Sequence, residues 1–239
     1  MKKILFLVLM FCLFSCERKE EREVKRVKQI VENGNGEVLK IDLPKPMFEG
    51  TKKNLKGEIR PIITNRKILV PSGLTNLALN KHVISSDEEP IIGELEYITD
   101  GDKEGMDGSF VELGPGQQWV QIDLKKEYDI YAVICWHYHR EGRIYNDVIV
   151  KISSDKDMIE GTIIFNNDKD NSSGMGIGKD YSYLDDYNGE VLGPVKLNQK
   201  NGEYKGNPVR GRYVRLFSNG NIYNDLNHYV EVEIYAKKF

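Results

Sequence analysis

The sequence predicts an all-β fold, a two-sheet antiparallel β-sandwich of jelly-roll type behind an extended N-terminal tether. Three observations predict it. After Thr75, short segments alternate apolar and polar residues with a period of two, and Gly, Asn and Asp bound them. No window of about a dozen residues there keeps the i, i+3, i+4, i+7 apolar spacing of a helix.

The chain opens with Lys2 and Lys3, followed by an apolar or small run from Ile4 to Ser15. A charged start and a short apolar stretch are the parts of an export signal, and the run is shorter than the roughly 20 residues a spanning helix needs. Residues 1–15 are therefore read as a signal peptide. Leu13-Phe14-Ser15-Cys16 resembles a bacterial lipobox, which implies acylation at Cys16 and a membrane-anchored lipoprotein, since two acyl chains hold where one is marginal. The expected location is the cell envelope, lipid-anchored in the outer membrane. Lys19-Glu20-Glu21 resembles a short signal that takes lipoproteins to the cell surface, and a solvated charged tether has the same composition.

Residues 16–74 are read as a tether, largely irregular. Glu17 to Lys28 is a charge run, and Asn33 to Gly73 is rich in Pro, Gly, Lys and Asn. Such a stretch buries too little apolar surface to offset its ordering entropy. Leu43-Pro44-Lys45-Pro46-Met47-Phe48 and Pro61-Ile62-Ile63 can each lay an apolar side chain on the following domain.

Residues 75–239 have the length of one all-β domain. Val120, Ile122 and Leu124 alternate with Gln121 and Asp123, and Val148, Val150 and Ile152 with Ile149 and Lys151. Val214 and Leu216 flank Arg215; Val230, Val232 and Ile234 alternate with Glu231 and Glu233. Each reads as a half-buried strand. Ile130 to Trp136 is apolar on both faces, the pattern of a central strand.

Of three cysteines, Cys12 leaves with the signal and Cys16 is the acylation site. Cys135 remains as a small buried hydrophobe without a disulfide partner. The net charge of −3 and the lack of a basic stripe with interleaved aromatics argue against nucleic acid. Neither a Gly-x-Ser-x-Gly turn, nor a His-Glu-x-x-His helix, nor a Cys beside a base is present. Asp123, Asp147 and Glu231 fall on or at the ends of predicted strands, where they solvate a sheet face. The chain is therefore expected not to be an enzyme.

Five blocks in order carry a family resemblance. Asn76-Leu77-Ala78-Leu79-Asn80-Lys81 leads to Val83 and Ser85-Ser86; Ile98-Thr99-Asp100-Gly101-Asp102 follows, then Trp119-Val120-Gln121-Ile122-Asp123-Leu124. Arg212-Tyr213-Val214-Arg215-Leu216 and Val230-Glu231-Val232-Glu233-Ile234-Tyr235 complete the set. Together they resemble the discoidin, or coagulation factor 5/8 type C, domain of the galactose-binding-like fold, with bacterial carbohydrate-binding modules the nearer relatives. Gly108-Ser109-Phe110 departs from the family's Thr-x-Trp, and the Asn166 to Asp180 insertion is unusual for it.

The resemblance implies a structural calcium held by Asp100, Asp102, Ser109 and Glu231. An Asp-Gly-Asp turn offers the oxygens a hard cation takes, and it is also a common solvated turn. The oxygen-rich insertion from Asn166 lacks the spacing of a calcium loop and reads as surface turns.

The family places its ligand at loops on one end of the sandwich. Trp136-His137-Tyr138-His139-Arg140 with Arg143, and Asn219 to Tyr229, supply the aromatic faces and fixed polar groups that sugars require. The candidate carbohydrate-binding residues are His137, Tyr138, His139, Arg143, Asn224 and His228. The same residues also fit core-capping and Asx-turn roles. The expected function is a non-catalytic module that binds glycan or polysaccharide; a protein- or lipid-binding adhesion domain using the same loops is the alternative.

Overall fold

The computed structural model describes residues 36–46 and 66–237. The signal segment, Cys16, Met47-Phe48 and Pro61-Ile62-Ile63 lie outside the described residues. The strands, in order, are β1 (Gly36–Val38), β2 (Lys67–Pro71), β3 (Leu74–Asn76), β4 (Val83–Ser85), β5 (Val111–Leu113), β6 (Gln117–Trp136) and β7 (Ile149–Ser153). After them come β8 (Thr162–Asn166), β9 (Glu190–Pro194), β10 (Lys196–Asn198), β11 (Glu203–Lys205), β12 (Val209–Asn219), β13 (Asn227–Tyr229) and β14 (Glu231–Lys237). One 3-10 turn, Leu95–Thr99, is the only helical element among the described residues, and no helix there is long and apolar enough to cross a membrane.

β6 organises the sandwich because its two halves have different partners. Lys125 takes a positive φ of 71°, with its N–H donated to Asp123 Oδ1 at 2.7 Å, and the ladder turns there. The first half pairs with β4 and β12, and β12 continues to β7 and β8. The second half pairs with β14 and β9, and with the start of β12 at residues 128–130. Val120, Ile122 and Leu124 from one half pack in one core with Val133 and Cys135 from the other, together with Val150, Ile152, Val214, Leu216, Val232 and Ile234. Full burial of each large aliphatic side chain contributes about 1.5–3 kcal/mol, so the period-two pattern fixes which face turns inward. Arg212 grips Asp123 across β6 and β12 with bonds of 2.7 and 2.9 Å. Those bonds hold the Asp123 carboxyl well below the usual range.

Ile130 to Trp136 is buried on both faces, as its composition predicts. The second face is covered by a separate sheet in the order β1-β2-β11-β10, in which β11 runs parallel to β2. Ile68, Val70 and Tyr204 of that sheet pack with Ala132, Ile134 and Trp136, and Leu39 and Ile41 lie against them.

This cover changes two expectations. Residues assigned to an irregular tether form β1 and β2, and the expected domain start at Thr75 falls inside β3, which pairs with β14. Glu231 and Glu233, read as solvent-facing from their alternation, are only 0% and 5% exposed. They share the covered face with Trp136 and Ile134, their register partners on β6. Glu233 offsets its burial by an ion pair with Lys103 at 2.7 Å and by accepting the Tyr235 hydroxyl.

Candidate functional site

The β6–β7 connection, the turn between β12 and β13, and the β5–β13 ribbon meet at one rim. Backbone bonds lock them together: Asn146 N–H donates to Gly220 O, Ile222 N–H to Ile144 O, and Tyr145 bridges to Asn221. Asn227 ties the ribbon down, donating to Gly114 O and Gly116 O while accepting from Ser218 and the Gly220 N–H. Loop residues held this way need little ordering when a ligand arrives.

Antiparallel register places His228 opposite Glu112. Its Nε2–H donates to Glu112 Oε2 at 2.9 Å. Burial, with Arg143 beside it, pushes the imidazole down to about 3, so His228 is neutral and Nδ1 carries the lone pair. Arg143 Nη1 lies 3.3 and 3.1 Å from the two ring nitrogens. The guanidinium also sits 4.6 Å from the Tyr138 ring centroid and 5.8 Å from that of Tyr223, and Nη2 donates to Glu141 Oε2 at 2.8 Å. Phe110 supports Tyr138 from the side, with ring centroids 4.9 Å apart. The result is a neutral imidazole, a stacked guanidinium, two carboxylates and aromatic faces in one place. Such a set can hydrogen-bond hydroxyls while covering C–H surface.

The structure brings Tyr138, Arg143 and His228 together and separates the other candidates. Asn224 is in the adjoining turn, where its Oδ1 accepts from Asn221 Nδ2 and the Leu226 N–H, as in an Asx turn. His137 and His139 lie in the interior. His137 is fully buried, because it continues the inward alternation of Val133 and Cys135. It pairs with Asp185 at 3.1 Å and stacks on Tyr145 with centroids 4.3 Å apart. Burial works against charge on His137, yet the groups beside it, Cys135 and Asp185, outweigh it and push the ring up. Burial also pushes the Cys135 thiol up, so Asp185 is the operative counter-charge. His139 is buried too, donating Nε2–H to Lys103 O at 2.9 Å. Trp136 faces the opposite layer, where its indole N–H donates to Tyr187 O. Gly189, at φ 67°, makes room there, since a Cβ would come within 2.4 Å of the indole.

Sequence reasoning missed Glu112, Glu141 and Phe110 as parts of this rim, whereas Tyr223 falls in the Asn219 to Tyr229 segment it singled out. Glu141 stands two residues from Arg143, a short-range cue that was available. Glu112 reaches the rim only through pairing of β5 with a strand far along the chain.

The calcium residues are partly assembled. Glu231 Oε2 accepts the Gly101 N–H at 3.1 Å, while its Oε1 is buried without a hydrogen-bond partner. Burial, with Glu233 and Asp100 nearby, pushes Glu231 up to about 9, which is the environment a cation would relieve. Asp100 and Asp102 cap their own turn, accepting the N–H groups of Asp102 and Glu104, and Ser109 lies half-buried at the next turn. These residues fit a cation through Glu231, with the remaining oxygens of a six- to eight-fold shell owed to loop carbonyls or water. Among the described residues, the one trio with ligand atoms within 4.8 Å of one another is Asp147, Asp168 and Asp170. Asp168 is already saturated by Ser172 N–H and by Ser173 N–H and hydroxyl, so the insertion behaves as turns.

Two depressions, of about 730 and 190 Å³, lie along edge strand β8 and its neighbouring turns, and none of the rim residues lines them. No protein-family model matches the chain, and no curated protein matches it. Solved structures do resemble it. A family 89 glycoside hydrolase from Clostridium perfringens is 16% identical with a TM-score of 0.46, over 68% of this chain and 15% of that one. A fucose-binding module from Streptococcus pneumoniae is 17% identical with a TM-score of 0.45, over 69% of this chain and 99% of that one. A fucolectin from striped bass (Morone saxatilis) serum is 16% identical with a TM-score of 0.45, over 69% and 49%. The chain spans about 15% of the hydrolase's length. With identities and scores this low, the likeness is one of chain path and carries neither a ligand nor an activity to this chain.

Proposed function

We propose that this chain is a non-catalytic glycan-binding module, held on the cell envelope by lipid at Cys16, with its sugar site at the Tyr138–Arg143–His228 rim. The observation that supports the reading is the clamped guanidinium. Arg143 is stacked on Tyr138 and bonded to Glu141, yet Nη1 and Nη2 each carry two N–H groups, enough to leave donors for sugar hydroxyls. Tyr138, Tyr223 and Phe110 supply apolar faces beside it. A glycan array probed with the full chain tests this; retention of no glycan contradicts the proposal. Binding a protein or an anionic headgroup through the same rim is the competing outcome.

Retention is expected to show no histidine titration between about pH 5 and about pH 8, because the imidazole in contact with Arg143 stays neutral throughout. The sign follows from His228 being depressed to about 3. Its protonation would weaken the rim only as pH falls toward that value. A midpoint near the ordinary histidine value of about 6.5 in binding curves would contradict this.

Calcium belongs to the proposal as a structural ion at Glu231, with Asp100, Asp102 and Ser109 at the loop it would tie to β14. Its role would be stability, since an ion bound only by the native state adds about 2.7 kcal/mol at a hundred times its Kd. Calcium added after chelation is expected to raise the thermal midpoint by about 5–10 °C in a domain of this size. An unchanged midpoint at saturating calcium removes the ion from the account.

A further inference from the structure

Resting on the glycan reading, we infer that Glu141 is a specificity residue, which makes the rim select uncharged glycans by occupying the outward edge of Arg143. An isolated arginine is the usual receptor for a ligand carboxylate or sulfate, because its planar fork meets such groups with two parallel bonds. In this rim the outer arm of the fork already holds a carboxylate. Glu141 Oε2 stands 2.8 Å from Arg143 Nη2, and the side-chain exposures are 44% for Glu141 and 11% for Arg143. The carboxylate therefore faces solvent and the guanidinium lies behind it.

The surroundings reinforce this arrangement. Nη1 is packed against the His228 ring, and His228 carries no charge to offset Glu112, which accepts its Nε2–H. Burial pushes the Glu112 carboxyl up, and Arg143 opposes that. Glu141 meets the Arg143 guanidinium directly, and Glu112 stands behind it on His228. An acidic sugar would have to displace Glu141 and then sit beside it and Glu112, with like-charge repulsion in a partly dry site. A hydroxyl meets no such barrier. It can donate to a free oxygen of Glu141 or Glu112 and accept from the remaining N–H groups of Arg143.

The test compares the full chain with Glu141→Gln and Glu141→Ala on one array. The array carries neutral galactosides, fucosides and N-acetylglucosaminides beside uronate-, sialate- and sulfate-bearing glycans. The parent chain is expected to retain neutral glycans at least about tenfold better than their acidic counterparts, and both variants to reduce that ratio by about tenfold. Raising the salt should narrow the ratio for the parent chain. Equal retention of acidic glycans by the parent, or a ratio unmoved in both variants, overturns the role of Glu141 while leaving the glycan site in place. Retention of no glycan by any of the three chains overturns the glycan reading itself and the inference with it.

Discussion

Arg143→Ala is expected to cost about 2 kcal/mol or more of glycan binding, about thirtyfold in affinity. The expectation follows from how much of the rim converges on one side chain. Its guanidinium is stacked on Tyr138, bonded to Glu141 and packed against His228. Without it, Glu141 loses its ion-pair partner and His228 loses the group packed on its ring. The Tyr138 ring also loses the flat group that covers it. Arg143→Lys separates the two contributions, because an ammonium keeps the charge and loses the planar fork. Titration calorimetry with the best array ligand reads both variants. Wild-type affinity in Arg143→Ala would contradict the placement of the site.

Asp185→Ala is expected to lower stability by about 3–5 kcal/mol, because removing one partner of a buried ion pair leaves the other uncompensated. His137 and Asp185 are fully enclosed, with side-chain exposures of 0% and 1%, and Tyr145, Tyr183 and Tyr229 surround the imidazole. The pair pins the segment before β9 to the end of β6, directly behind Tyr145. Chemical denaturation should show the loss as a lower midpoint with an unchanged slope. A double-mutant cycle with His137→Ala should recover part of it, since the orphaned charge is then gone. A loss under about 1 kcal/mol would show the pair to be dispensable.

The strands after Thr75 were legible because side chains in a strand alternate with a period of two, and β7, β12 and β14 bury the residues that alternation picks out. Burial of Ile130 to Trp136 on both faces was legible as well. What covers the second face was not, because it depends on parallel pairing of β2 with β11, segments far apart whose composition reads as tether and loop. The same non-local cover put Glu231 and Glu233 in the interior, against their alternation.

At the rim, residue type alone did not separate the candidates that meet from those the core takes. Tyr138, Arg143 and His228 meet, but His137 continues the inward face of β6 and takes a core position. Counting the period on through Val133, Cys135 and His137 would have placed it there. Glu112 had no local signal at all. Its position is a consequence of register between β5 and β13, which a single sequence does not specify.

The sugar site can be seen in a crystal of the chain soaked with the glycan it retains best. A sugar ring is expected against Tyr138 or Tyr223, with a hydroxyl in hydrogen-bond reach of Arg143. A sugar found in the β8 groove beside Ile163 and Ile177, with the Arg143 rim vacant, would contradict it.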